Sequence, residues 1–265
     1  MLAKTWLARA GRCPLTIPLG SRGDYQNPMR LLMKVFLLHC EQWYDIHISI
    51  PLPVLESLRP AKSRLLRLQR LSLDVGLYEP LHIFECAPRL RWLKLASSLD
   101  PSMVKAPWSQ IEYFDMGGCK IDRCLKLLHA TSNLKTCVVN LTTSEPRLSH
   151  SSIQLLRLRS MTVRGDPTYF FNELLLPQLH EISISSSENW WKATSQLISL
   201  LSQCSLAKLS LNLINLSDDD MIRVLQACPS LVQLDLYYQH MSTSVTTRGC
   251  NTRGVLPSDE NLSRR

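Results

Sequence analysis

One apolar phrase recurs nine times along the 265 residues and constrains the fold more than anything else in the chain. The phrase is apolar-x-x-apolar-x-apolar. It reads Trp43/Ile46/Ile48, Leu68/Leu71/Leu73, Leu90/Leu93/Leu95, Ile111/Phe114/Met116, Leu134/Cys137/Val139, Leu158/Met161/Val163, Leu179/Ile182/Ile184, Leu206/Leu209/Leu211 and Leu231/Leu234/Leu236. First positions are separated by 25, 22, 21, 23, 24, 21, 27 and 25 residues. The last two apolar positions alternate with polar ones, which is the period of a strand with one buried face. A proline or small polar residue often precedes the phrase, as in APRL at 87–90, LPQL at 176–179 and CPSL at 228–231, and ends whatever element came before. One such unit cannot bury its own apolar face, whereas stacked units share a continuous core.

A strand and a return every 21 to 27 residues is the rhythm of a leucine-rich repeat. The expected fold is an α/β leucine-rich-repeat solenoid, a horseshoe or arc of about nine repeats with parallel strands on its concave face. Helical spacing predicts helices over Met29–Cys40, Ile121–Ala130, Trp191–Gln203 and Asp218–Ala227. The last has a strong start signal: Ser217 can cap free amides, and three aspartates follow at the positive end of the helix dipole. Three segments follow from this. Residues 1–42 form an N-terminal capping segment with an amphipathic helix, 43–240 the solenoid, and 241–265 a polar tail expected to be disordered.

Composition narrows the function. The chain holds 49 leucines against 9 glycines, so it is poor in the residue that phosphate-cradling loops require. Its net charge of +8 invites a nucleic-acid or membrane reading, but residues 1–30 carry five basic and one acidic residue and residues 241–265 carry four and two. Six of the eight excess charges therefore lie at the ends. No apolar run is long enough to span a bilayer, and the N-terminus lacks a signal-type apolar core. Nine cysteines, odd in number and scattered, fit reduced thiols in an intracellular protein, in cytoplasm or nucleus.

Catalytic and metal chemistry find little support. Cys119, Cys124, His129 and Cys137 lie close in sequence, but they do not form the two short ligand pairs of a structural zinc site. Cys40, Cys86, Cys204 and Cys228 precede a phrase by two to four residues, and Cys137 occupies the middle of one, so they read as core residues. There is no nucleophile elbow, and Gly117-Gly118-Cys119-Lys120 reads as a turn after a strand rather than a phosphate loop. The expectation is a protein that is not an enzyme and carries no cofactor or metal.

The positions flanking the inward pair of each phrase line the concave face. They include Arg70 and Asp74, Trp92 and Lys94, Tyr113 and Asp115. Farther along come Arg164, Glu181, Lys208, Asp235 and Tyr237. Signs are balanced and aromatics are interspersed. That suits a protein substrate, while a nucleic-acid groove needs a one-signed basic stripe. The alternative is a nucleic-acid-associated repeat protein that uses its basic termini.

Five longer phrases carry a family resemblance: WLARAGRCPLTIPL at 6–19, LLHCEQWYDIHISIPL at 37–52, APRLRWLKL at 87–95, PWSQIEYFDM at 107–116 and LSDDDMIRVLQACPSLVQLDL at 216–236. Most of residues 2–240 resembles the leucine-rich-repeat region of fungal F-box proteins. The resemblance implies a subunit of a cullin ubiquitin ligase, in which an N-terminal F-box binds a Skp-type adaptor and the repeats present substrate. The sequence starts downstream of where the F-box is expected. The implied role is therefore a protein-interaction scaffold like the substrate-binding region of such a subunit, truncated, and joined to a Skp-type adaptor only if an F-box lies upstream.

Overall fold

The computed structural model describes residues 2–20, 26–97, 99–142, 152–167, 169–186, 194–213 and 217–237. The architecture is mixed α/β. Ten parallel strands form one open sheet: β1 (Leu15–Gly20), β2 (Trp43–Ser49), β3 (Arg70–Leu73), β4 (Trp92–Leu95), β5 (Tyr113–Lys120), β6 (Thr136–Thr142), β8 (Ser160–Gly165), β10 (Glu181–Ser186), β11 (Lys208–Leu213) and β12 (Gln233–Tyr237). They pair in chain order, so each meets only its predecessor and successor. Two short strands, β7 (Ile153–Gln154) and β9 (Leu174–Leu175), pair separately in the return segments. The helices are α1 (Leu2–Ala10), α2 (Gln26–Leu37), α3 (Leu52–Leu55), α4 (Ile121–Ala130), α5 (Thr194–Leu201) and α6 (Asp218–Gln226). Among the described residues no helix is long and apolar enough to cross a membrane.

The apolar phrase explains the sheet. Its first position caps the turn into each strand and is buried at Trp43, Leu68, Leu90, Ile111, Leu134, Leu158, Leu179 and Leu206. The inward pairs, from Ile46/Ile48 to Leu209/Leu211, are buried as well. Registers are even. Ile46, Leu71, Leu93, Phe114, Cys137, Met161, Ile182, Leu209 and Leu234 form one row across nine strands. A further buried column lies three residues before seven of the nine first positions, at Cys40, Leu65, Ala87, Thr131, Leu155, Leu176 and Cys228, while Trp108 and Gln203 at the other two are half-buried and exposed. Thr131 fits that column because its hydroxyl donates to the Leu128 carbonyl at 3.0 Å.

Several expectations change. The sheet has ten strands rather than nine, because the N-terminal segment contributes β1, where Leu15, Ile17 and Leu19 are buried in alternation. The phrase is absent there because Ile17 and Leu19 pair with Ile46 and Ile48, and Pro14 stands three residues before Ile17, where the first apolar residue belongs. Pro18 is tolerated there since β1 is an edge strand and need not donate outward. The N-terminal helix spans Gln26–Leu37 instead of Met29–Cys40, and residues 40–42 form a short 3₁₀ turn. Gly117-Gly118-Cys119-Lys120 is strand, not turn, with a bulge between Met116 and Gly118 that brings Gly118 rather than Gly117 opposite Asn140. Glycine is required at the bulge, since a Cβ on Gly117 would lie 2.2 Å from the Ser97 amide nitrogen.

The helix at Ile121–Ala130 forms as read, and the last helix ends one residue early, at Gln226. Helix α5 lies within the predicted Trp191–Gln203, whose first three residues, like the tail 241–265, fall outside the described residues. Ser217 caps α6, its hydroxyl accepting from the Asp220 amide at 3.2 Å. Cys86 is exposed and is not a core residue, Cys204 is half-buried, and Cys40, Cys137 and Cys228 are buried as read. The difference is one of offset: Cys86 stands four residues before Leu90 and Cys204 two before Leu206, on either side of the buried column.

Candidate interaction surface

Alternation in each strand sends every second side chain to the face opposite the core, where it reaches solvent. The strand register then decides which of these meet. Asp45, Arg70, Trp92, Tyr113, Thr136, Ser160, Glu181, Lys208 and Gln233 form one row, and Lys94, Asp115, Val138, Thr162, Ser183, Ser210 and Asp235 a second.

Three residues of the first row are stacked. The Trp92 and Tyr113 rings lie 4.9 Å apart at an interplanar angle of 9°. The Arg70 guanidinium sits 4.9 Å from the centre of the Trp92 ring. Arg70 and Tyr113 belong to the strands on either side of β4, so they cover opposite faces of Trp92. Arg70 is in turn held by Asp45 at 3.6 Å. Cation–π and stacking contacts fix the rings upright on the sheet. The free face of Tyr113 looks toward β6, where Thr136 is its small register partner.

The second row adds an ion pair beside the stack. Lys94 Nζ lies 2.8 Å from Asp115 Oδ2, whose side chain is only 17% exposed. The hydrogen bond and charge of Asp115 raise the Lys94 pKa. Burial raises that of Tyr113, the Asp115 charge adds to the effect, and Lys94, Arg164 and Arg70 oppose it. Both groups thus keep their protons, and the site presents a neutral phenol beside a closed ion pair.

The remaining candidates fall in three places. Glu181, Lys208, Asp235 and Tyr237 line a shallow depression of about 290 Å³ with Ser160, Thr162, Ser183 and Ser210. Arg164 is exposed on β8, between the stack and this depression, and makes no ion pair among the described residues. Asp74 stands apart at the end of β3 and accepts from the Ser49 hydroxyl at 3.4 Å. Sequence reasoning did not foresee that Trp92 would be enclosed on both sides, though the alignment of Arg70, Trp92 and Tyr113 in successive phrases contained the signal.

Elsewhere the chemistry is closed. Cys124 and Cys137 are fully buried, and burial pushes Cys137 up to about 12. Cys119 rises to about 11 for the same reason, while His129 is exposed at the end of α4. Among the described residues no three His, Cys, Asp or Glu side chains converge as a metal site needs. A cleft of about 600 Å³ between α3 and residues 77–83 has apolar walls, and the cations at its mouth are already paired, Arg59 with Glu56 at 3.2 Å and Lys62 with Glu85 at 2.9 Å. Searches against protein-family models and curated proteins give no match to this chain.

Proposed function

We propose that the chain is a leucine-rich-repeat solenoid acting as a protein-interaction scaffold, comparable to the substrate-binding region of an F-box subunit of a cullin ubiquitin ligase. The observation that carries this reading is the Arg70–Trp92–Tyr113 stack flanked by the Lys94–Asp115 pair on an open sheet face. Aromatic rings held rigidly among paired charges lose little freedom on docking, and such residues dominate protein interfaces. No catalytic step or cofactor is part of the proposal. A Skp-type adaptor would be engaged only through an F-box upstream of these repeats, and the intracellular location belongs to the same reading.

The second reading is nucleic-acid binding through the basic termini. It is the weaker one because the two rows of the open face hold Asp45, Asp115, Glu181 and Asp235 against Arg70, Lys94 and Lys208, a balance that would repel phosphate as often as attract it. Crosslinking pull-down with Trp92→Ala and Tyr113→Ala variants tests the first reading. Partner recovery should fall at least severalfold in both. Recovery equal to the unchanged protein would show that the surface has been misassigned.

A further inference from the structure

We propose that the end of the sheet at which its strands begin docks an acidic, extended segment of the protein partner. The proposal rests on the protein-binding reading above and adds the chemistry and direction of what is bound. Its basis is a charge polarity along the strands. Within the five residues preceding each of the ten strands, the described residues include seven basic side chains (Arg12, Arg67, Arg89, Arg91, Lys135, Arg157, Arg159) and two acidic ones (Glu41, Glu112). Within the five residues following each strand they include five acidic side chains (Asp74, Asp100, Asp122, Asp166, Asp218) and one basic, Arg123. Among the described residues one end of the sheet carries a net +5 and the other −4.

The positive end is concentrated beside the aromatic stack. Backbone hydrogen bonds tie Arg91, Glu112, Lys135 and Arg159 into one row, from Glu112 N to Arg91 O, Lys135 N to Glu112 O and Arg159 N to Lys135 O, each 2.8–2.9 Å. Glu112 serves both neighbours, at 3.8 Å from Arg91 and 2.6 Å from Lys135. Arg159 and Arg89 have no ion pair among the described residues, and Arg157 donates only to the Asn133 side chain, at 2.8 Å. From β4 to β8 this is three strand spacings, about 14 Å.

Five cations over that distance with one shared carboxylate leave unmatched positive charge at an otherwise balanced surface. Two classes of polyanion would seek it. Glu112 stands inside the row, where a continuous phosphate backbone would be repelled, while a peptide with spaced carboxylates can pass it. In an extended chain, residues three apart are separated by about 9.3 Å, near the roughly 9.6 Å of two strand spacings. Carboxylates at that interval reach Arg91 and Lys135, which stand two strand spacings apart, with Arg159 one strand farther on, and the same segment continues onto Trp92 and Tyr113.

The test is fluorescence anisotropy at low ionic strength with a labelled peptide of four Glu-Pro-Pro units, its Lys-Pro-Pro counterpart, and an oligodeoxythymidine. The glutamate peptide should bind and the lysine peptide should not. Binding should weaken roughly tenfold in an Arg157→Glu/Arg159→Glu variant and not in Arg123→Glu at the opposite end. Because Arg157 bonds to Asn133, Arg159→Glu alone is a second variant, and far-UV circular dichroism checks that each folds. Unchanged binding in the arginine variants, equal weakening by Arg123→Glu, or tighter binding of the oligonucleotide would each overturn the proposal. Partner recovery lost in Trp92→Ala but kept in the arginine variants would overturn it too, while leaving the protein-binding reading intact. The converse pattern, peptide binding lost in the arginine variants with recovery unaffected by Trp92→Ala, would retain the acidic-segment site and remove that reading.

Discussion

Trp92 is the residue on which the open face depends, since both of its ring faces are occupied by side chains from neighbouring strands. Trp92→Ala should cost about 2 kcal/mol in denaturant unfolding, less than a core tryptophan because the residue is half-buried. Tyr113 offers a finer probe. Its phenol is held above the ordinary value, so its contribution to stability is complete below pH about 10 and is lost as pH rises through the folded-state value. Absorbance near 295 nm should show a phenolate forming above pH about 10, and Tyr113→Phe should remove that step. Thiols supply a third test. Cys13 and Cys86 are exposed, whereas Cys124 and Cys137 are buried with raised pKa values, so alkylation mapped by mass spectrometry should reach the first pair in the native state and the second only on unfolding. These residues also mark how far the sequence could be read. Inward positions were legible because alternation fixes them, but the depth of Cys86 was not. A shift of one residue from the buried column moved it from core to solvent, and only the turn geometry before β4 determines that shift.

At the scale of elements, legibility followed local chemistry. Helices α4 and α6 were readable because spacing and, for α6, a cap act within a turn or two, and Ser217→Ala should cost about 1 kcal/mol by removing the acceptor for the Asp220 amide. Strand β1 was not, since its alternation is too short to stand out without the leading apolar residue and it is stabilised by pairing with β2. The bulge in β5 was hidden for a related reason: it meets the close approach of Ser97 from the turn after β4, a contact between segments distant in sequence. Gly165 shows the same dependence. It has φ +83°, and a Cβ there would lie 2.0 Å from the Leu141 carbonyl oxygen, whereas one on Gly20 would meet nothing within 4 Å. Gly165→Ala should therefore lower thermal stability by the equivalent of about 2 kcal/mol or more, with Gly20→Ala nearly neutral. Equal shifts in melting temperature for the two variants would contradict this account.

The whole molecule behaves as a row of neighbours, because strands that pair in chain order give every strand its stability from the one before and the one after. Opening then starts at an edge, and the two edges differ. Strand β1, between α1 and α2 in the chain, buries Leu15, Ile17 and Leu19 at 2–4% exposure. Strand β12 is the last among the described residues and is poorly covered: Leu231 and Leu236 are half-buried, Leu234 is 7% exposed and Val232 57%. Central strands have no such weakness, with Leu93, Phe114 and Cys137 fully buried. Hydrogen exchange followed by mass spectrometry should accordingly show amides of β4 to β6 exchanging last, β1 earlier, and β12 first. Cavities should follow the same gradient. Phe114→Ala removes a buried ring between two paired strands and should cost about 3–5 kcal/mol, while Leu236→Ala at the edge should cost under about 1.5 and mainly speed exchange in β12. Protection of β12 equal to that of β5 would mean that something covers this edge, and the gradient, with the neighbour-only account of stability behind it, would have to be abandoned.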